Sequence, residues 1–300
     1  MEQISCQVLV VGAGPGGYVA AIRAAQLGLD TVIVEGDKAG GTCLIRGCIP
    51  SKAIIHAAER FEALKAHQTG HMGLKVEGDI AVDMAALIDW KNVIVGKLNK
   101  GVEGLLKGNG ARIIKGWASF LDGKTCNVTD SEGNKIAHIT TDNVILATGS
   151  QPIELPFMPY DEKFILSSTG ALDLEELPDK VAIIGGGYIG LELGCALRKL
   201  GVEITVIEGL DTVVSIFDDE IRRPLERWLK KNKITVHTNC FAQGAEVCET
   251  GVELSWKDGE GEIVSESFDK VLVTVGRKAN TKDWGLEEMG VKMDESGGFV

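Results

Sequence analysis

Short apolar runs bounded by glycine alternate along this chain with longer stretches whose apolar residues recur every three or four positions. The run from Ile4 to Val11 reads as a strand. Helical spacing covers Lys52–Lys65 and Met84–Lys107. Residues 112–128 and 251–267 are rich in β-branched and alternating residues, and the Asp-Gly-Glu-Gly turn inside the second predicts a hairpin. Two further apolar runs, Asp142–Gly149 (DNVILATG) and Asp269–Gly276 (DKVLVTVG), resemble each other and both stop at a glycine. Strands alternating with helices in this way predict an α/β fold built on parallel sheets.

The pattern repeats. Residues 8–36 read VLVVGAGPGGYVAAIRAAQLGLDTVIVEG, and residues 181–209 read VAIIGGGYIGLELGCALRKLGVEITVIEG. A shift of 173 superposes Gly12 on Gly185, Gly14 on Gly187, Gly17 on Gly190 and Glu35 on Glu208. Each copy is a strand, a G-x-G-x-x-G turn, a helix and a second strand ending in Glu. The first Gly permits the tight turn, the second lets backbone approach a pyrophosphate, and the third lets helix pack on strand. The helix N-terminus offers unpaired N–H groups to phosphate. The Glu, 23 residues after the first Gly in both copies, can accept hydrogen bonds from a ribose. A single such turn could bind nothing. Two with the same acidic offset predict two Rossmann-like dinucleotide-binding domains, residues 1–150 and 151–276, the second inserted after the first. Residues 277–300 begin a return segment. Gly149 and Gly276 close the two units, and the first is longer by 46 residues.

Composition narrows the partners. The 300 residues are 44% hydrophobic and 25% charged, a soluble balance for two domains of ordinary size. A net charge of −12 argues against nucleic acid, whose phosphates require a basic face. No run approaches the length of a membrane span, and Met-Glu-Gln-Ile-Ser lacks the pattern of an export signal. The expected location is therefore the cytoplasm. A reducing compartment makes a structural disulfide framework unlikely for the seven cysteines.

Two of those cysteines stand apart. Cys43 and Cys48 lie in GGTCLIRGCIPSK (residues 40–52), close behind the first acidic residue. Five positions apart, they can be bridged if their Cβ atoms converge. So small a ring gains little from loop closure, so stability is a poor reason for it. An exchangeable disulfide is the functional reading, and a helix starting near Cys48 would favour a thiolate. Two buried thiols or half of a metal site are the alternatives. A zinc site would need more ligands than His56 supplies. Cys6, Cys126, Cys195, Cys240 and Cys248 read as small packing residues.

Together, GGTCLIRGCIPSK, LATGSQP, GGGYIGLELG and VTVGRKANT resemble the pyridine nucleotide–disulfide oxidoreductase family, from Gln7 to the end of the chain. The resemblance is greatest to members serving 2-oxo acid dehydrogenase complexes. It implies FAD and NAD as cofactors and the dihydrolipoyl domain of the acyltransferase as partner. It also implies a homodimer for the full-length protein. Gly12, Gly14, Gly17 and Glu35 would bind the ADP half of FAD. Thr42, Cys43 and Lys52 would lie along the flavin, with Gly116 and Gly149 contributing backbone. Cys43 would exchange with the substrate dithiol and Cys48 would face the flavin. Lys52 and Glu192 would pair on the nicotinamide side, unless they are two solvated helix charges. Tyr188 would screen the nicotinamide, unless it only packs. Gly185, Gly187, Ile189, Gly190 and Glu208 would hold NAD, with Gly276 near its far end and the chain near Cys240 lining its adenine site. Glu208 repels a 2′-phosphate and Gly209-Leu210-Asp211 supplies no cation, which favours NAD over NADP. Another FAD-dependent disulfide reductase, acting on glutathione, a metal ion or a related thiol, is the alternative within enzymes.

Ile45 and Arg46 depart from the family's usual residues. A new strand is expected to start at Phe299-Val300. The family continues with a Gly-Asp motif on the flavin ribitol and an interface domain carrying a His–Glu pair. The five histidines (His56, His67, His71, His138, His237) match none of those positions. The expectation is a C-terminally truncated chain without its interface domain, which as an isolated fragment would bind nucleotide and turn over little.

Overall fold

Why the apolar runs become strands is clearest at the N-terminus. The first half of Glu2–Val11 alternates exposed and buried residues, and its last four residues are all buried. That change marks a strand whose first half has one covered face and whose second half is covered on both. In the computed structural model, which describes residues 1–295 and Gly298, the chain runs β1 (Glu2–Val11), α1 (Pro15–Gln26), β2 (Thr31–Glu35), α2 (Gly41–Arg46), α3 (Cys48–Gln68), a 3-10 turn at His71–Gly73, and α4 (Met84–Gly108). Next come β3 (Arg112–Lys115), β4 (Trp117–Phe120), β5 (Thr125–Thr129), β6 (Lys135–Leu146), β7 (Ser150–Pro152), β8 (Ile165–Leu166) and α5 (Ser168–Ala171). Then follow β9 (Lys180–Ile184), α6 (Tyr188–Leu200), β10 (Glu203–Ile207), α7 (Asp219–Lys231) and β11 (Thr235–His237). The series ends with β12 (Phe241–Val247), β13 (Val252–Lys257), β14 (Ile263–Phe268), β15 (Lys270–Val273) and β16 (Arg277–Ala279). The strand expected from Phe299-Val300 lies outside the described residues.

Two compact units result. The first comprises residues 1–49, 93–151 and 278–300. Its sheet has the order β3-β2-β1-β6-β5-β4, with β3, β2, β1 and β6 parallel and the other pairings antiparallel. One face packs Val8, Val10 and Ile33 against Ala21 and Ala24 of α1 and Val102 and Leu106 of α4. The other packs Leu9, Val11, Val32 and Val34 against Phe120, Cys126, Val128 and Ile139.

The second unit comprises residues 50–92 and 152–277. Its main sheet, β11-β10-β9-β15-β8, is parallel throughout. Helices cover one face, where Val181, Ile183, Ile204 and Val206 meet Leu193, Leu197 and Leu229. The antiparallel sheet β12-β13-β14 covers the other, where Ala182, Ile184 and Ile207 meet Leu254, Trp256 and Phe268. Each large side chain so buried contributes about 1.5–3 kcal/mol.

Residues 50–92, expected within the first domain, group with the second unit because Ile54, Ala58, Met84 and Ile88 enter the helical core around β9. The helix expected from Lys52 starts four residues earlier at Cys48. Pro50 is compatible with this because a first-turn N–H has no intrahelical partner to lose. The predicted hairpin is β13–β14, closed by Asp258, whose carboxylate accepts the Glu260 and Glu262 N–H groups at 2.9 Å. Cys6, Cys126 and Cys240 are buried and Cys195 half-buried, but Cys248, expected to pack, is exposed on the turn after β12.

Candidate functional site

The internal repeat extends to individual hydrogen bonds. In the first unit the Gly12 N–H donates to Val34 O (2.8 Å), and in the second the Gly185 N–H donates to Ile207 O (2.9 Å). Gly12 and Gly185 have φ of +93° and +97°, a conformation that costs glycine nothing. A Cβ on Gly12 would stand 2.3 Å from the Ala147 carbonyl oxygen, and one on Gly185 2.7 Å from that of Thr274. The closing strands β6 and β15 thus press on the two turns at equivalent points.

The third glycine of each motif is required by packing. A Cβ on Gly17 would fall 1.7 Å from Gly12 O, and one on Gly190 would fall 2.7 Å from Gly185 O and 2.5 Å from Thr274 Oγ1. The second glycine is different. Gly14 and Gly187 cap α1 and α6, and a Cβ on Gly187 would meet nothing within 4 Å. On Gly14 it would meet only Gly41 Cα, at 3.8 Å. Protein packing therefore does not demand glycine there. The bare backbone leaves a cradle beside free helix N–H groups, which fits a pyrophosphate.

Each acidic residue is braced identically. Glu35 accepts the Ala13 N–H (2.6 Å) and the Asp37 N–H (2.8 Å). Glu208 accepts the Gly186 N–H (2.5 Å) and the Leu210 N–H (2.8 Å). Burial pushes the Glu35 carboxyl above the usual carboxylate range, against the lowering effects of the Ala13 N–H and Arg46. Arg46, unusual by resemblance, ion-pairs with Asp37 and so ties α2 to the loop that holds Glu35. Ile45 packs against the core beneath α1.

Gly116 and Cys240 occupy equivalent places after the edge strands β3 and β11. Their N–H groups donate to the backbone oxygens of Glu35 and Glu208, both at 2.9 Å. Burial raises the Cys240 thiol pKa. Gly149 accepts the Asn280 N–H (3.0 Å), and Asn280 also exchanges two 2.9 Å bonds with Thr148. Gly276 accepts the Ile153 N–H (3.0 Å). Asn280 and Thr274, whose hydroxyl donates to Gly185 O at 3.0 Å, are supports that sequence reasoning did not single out. Both lie in VTVGRKANT, a segment that carries part of the resemblance, but nothing in its spacing marks them as supports.

The cysteine segment is pinned to the first glycine-rich turn. The Gly40 N–H donates to Ala13 O (2.7 Å), and a Cβ on Gly41 would stand 2.5 Å from Gly14 Cα. From that contact α2 carries half-buried Thr42 and Cys43, and Gly47 ends it. Exposed Cys48 opens α3. In the second unit, Lys52 Nζ lies 2.7 and 2.8 Å from the two carboxylate oxygens of Glu192 on α6. Tyr188, first residue of α6, is exposed beside the Gly187 cradle, and Ile189 is half-buried against the helical core. Among the described residues, no group of His, Cys, Asp and Glu is arranged to hold a metal ion, and no helix is long and apolar enough to cross a membrane.

Comparison with known proteins bears on this arrangement. Residues 6–300 match the family described as pyridine nucleotide-disulphide oxidoreductase. The chain is 48% identical over 294 residues to dihydrolipoyl dehydrogenase of Geobacillus stearothermophilus, and 45% identical over 295 residues to that of Bacillus subtilis. Each match takes in 98% of this chain and 61% of the relative, so the chain spans about three fifths of their length. Among solved structures, LpdA from Mycobacterium tuberculosis superposes with a TM-score of 0.87 at 24% identity, over 99% of this chain and 63% of its own. The HOCl-induced flavoprotein disulfide reductase RclA from Escherichia coli superposes with a TM-score of 0.81 at 24% identity, over 98% of this chain and 62% of its own, and its Cu(II) complex with 0.83 at 24% identity, over 99% and 62%. At that identity the likeness establishes the fold.

Proposed function

Since the chain belongs to the pyridine nucleotide–disulphide oxidoreductase family, we propose that it is the FAD-, disulfide- and NAD-bearing part of a dihydrolipoyl dehydrogenase. The observation that carries this reading is the docking of the Cys43 helix on the first nucleotide turn through Gly40 and Gly41. A thiol pair set beside a dinucleotide cradle suits electron exchange between the two. The names of the relatives supply the substrate class, a dihydrolipoyl group.

In this reading residues 1–150 form the FAD-binding domain with the Cys43–Cys48 pair, and residues 151–276 form the NAD-binding domain. Gly12, Gly14, Gly17 and Glu35 hold the ADP part of FAD, and Gly185, Gly187, Gly190 and Glu208 hold NAD. Bound flavin supplies two-electron chemistry between a dithiol and a nicotinamide. The protein's own step is exchange. The substrate dithiol becomes a disulfide as the Cys43–Cys48 disulfide becomes two thiols. Cys43 receives the substrate sulfur, and Cys48, at the start of α3, is the sulfur released from the pair. Glu192 fixes the Lys52 ammonium on the nicotinamide side. Both residues are well exposed, so the pair contributes at most about 1 kcal/mol to stability and its value lies in position. The Glu208 carboxylate disfavours a 2′-phosphate, which selects NAD over NADP. The partner is the lipoyl-bearing subunit of a 2-oxo acid dehydrogenase complex, and the location is the cytoplasm.

The test is an anaerobic titration of flavin-loaded protein. One equivalent of dihydrolipoamide should bleach or shift the 450 nm flavin band, NADH should do the same, and NADPH should not. Cys48→Ser should abolish the response to dithiol and keep the response to NADH. Reduction by NADPH alone, or dithiol reduction that survives in Cys48→Ser, refutes the assignment.

A further inference from the structure

Arg46 stands between the two cysteines, and its guanidinium ion-pairs with Asp37 in the loop after β2. The second unit repeats the surroundings of this pair without the pair itself. Leu210 donates its N–H to Glu208 as Asp37 does to Glu35. The Val214 N–H donates to Gly186 O (2.9 Å) as the Gly40 N–H does to Ala13 O (2.7 Å). Yet the shift of 173 places Leu210 at Asp37 and Asp219 at Arg46, and those two side chains cannot pair. Bracing the acid and latching the loop after it therefore require no ion pair. Stability does not require it either, since Arg46 and Asp37 are 42% and 50% exposed and surface pairs of that kind contribute little. The pair belongs to the one copy that carries the cysteines.

That copy differs by α2. Six residues are too few for a helix to hold itself in place by its own hydrogen bonds. Backbone contacts secure its first turn, through the Gly40 N–H on Ala13 O and the close approach of Gly41 to Gly14. Leu44 and Ile45 enter the core beneath it. Its last residue is Arg46, and Gly47 follows with no side chain to anchor. The C-terminal end is therefore tethered through Arg46 to Asp37. Asp37 is a firm anchor, because its N–H is held by Glu35 and the Asn99 amide donates to Ala39 O (2.7 Å) two residues on. The positive charge also reaches Glu35, whose carboxyl pKa it lowers against the effect of burial. Cys43 lies between the two tethers. Thiol–disulfide exchange depends on which sulfur is presented to the incoming thiolate. We propose that Arg46 is a positioning residue for the exchange: by holding Asp37 it fixes the turn of α2 that presents Cys43 to the substrate dithiol. The proposal rests on the function assigned above and adds to it the residue that sets the geometry of exchange.

The experiment follows the 450 nm band of flavin-loaded protein after rapid anaerobic mixing with dihydrolipoamide or with NADH. Arg46→Gln should slow reduction by dihydrolipoamide about tenfold, the scale of a small misplacement of a reacting group. It should leave reduction by NADH unchanged, since that path does not use α2. The NADH response in the same sample shows that a slow variant is folded and holds its flavin. Asp37→Asn should reproduce the selective loss, and the double variant should be no slower than either single one, because the two residues act through one contact. Three outcomes overturn the role of Arg46 alone: an unchanged dihydrolipoamide rate in Arg46→Gln, equal slowing with both reductants, or losses that multiply in the double variant. Failure of dihydrolipoamide to reduce the flavin of the unaltered protein overturns the assigned function, and the role of Arg46 with it.

Discussion

Three glycines in the two glycine-rich turns, Gly17, Gly190 and Gly16, should respond to alanine in three different ways. At Gly17 the added Cβ would lie 1.7 Å from Gly12 O, roughly half of a normal contact, and both sides are backbone. Relief requires α1 to move away from the turn after β1 by more than an ångström. Overpacking of this kind costs about 3 kcal/mol or more, and the displaced helix end also spoils the phosphate cradle. At Gly190 the overlap is with Thr274 Oγ1 at 2.5 Å and Gly185 O at 2.7 Å. The hydroxyl can rotate away, so a smaller shift suffices and the cost is about 1–2 kcal/mol. Gly16, within α1, has nothing within 4 Å of a Cβ, and alanine there should stabilise by up to about 1 kcal/mol through helix propensity. Urea unfolding followed by circular dichroism gives the stability order Gly16→Ala, wild type, Gly190→Ala, Gly17→Ala. Calorimetry with ADP should show a large loss at the first site for Gly17→Ala. Gly17→Ala with wild-type stability and nucleotide affinity would refute the reasoning, as would Gly16→Ala being equally damaging.

Two further outcomes follow from the titratable groups. Burial raises the Glu35 pKa, so as pH falls the folded chain takes up this proton before the unfolded chain does. The stability cost of the charged form is therefore full above the raised folded pKa and is relieved as pH falls through it toward the ordinary value. Nucleotide affinity should move the opposite way, since protonation removes the carboxylate that accepts the Ala13 and Asp37 N–H groups. ADP titrations from pH 7 downward should show affinity falling before ordinary carboxylates protonate, and Glu35→Gln should flatten that profile; an unchanged profile in the variant would contradict it. Among the thiols, burial pushes Cys126 up to about 12 and Cys195 up to about 11. Iodoacetamide at pH 8 on reduced protein should therefore modify exposed Cys48 and Cys248 and spare Cys126 and Cys195 until urea unfolds the chain. Peptide mass mapping reads this out, and early labelling of Cys126 would show that its core is open.

The sequence alone determined the two repeated strand–glycine turn–helix–strand units. Their signal is local: an apolar run, a glycine that must take positive φ, a helix and an acid at a constant offset all lie within about thirty residues. Local geometry of that kind is written in spacing, as are the β13–β14 hairpin and the start of α4. The cysteine pair was legible for the same reason, though its roles came only through likeness to a family. Tertiary structure decided what spacing does not record. It set the carbonyls of Ala147 and Thr274 against Gly12 and Gly185, and laid Trp117 on Gly36 and Phe241 on Gly209. It brought Lys52 to Glu192 across 140 residues. It also drew residues 50–92 into the second unit, because the apolar stripes of α3 and α4 find their complement on the helices around β9. An amphipathic helix declares that it has a face to bury, and only the folded chain decides against which sheet.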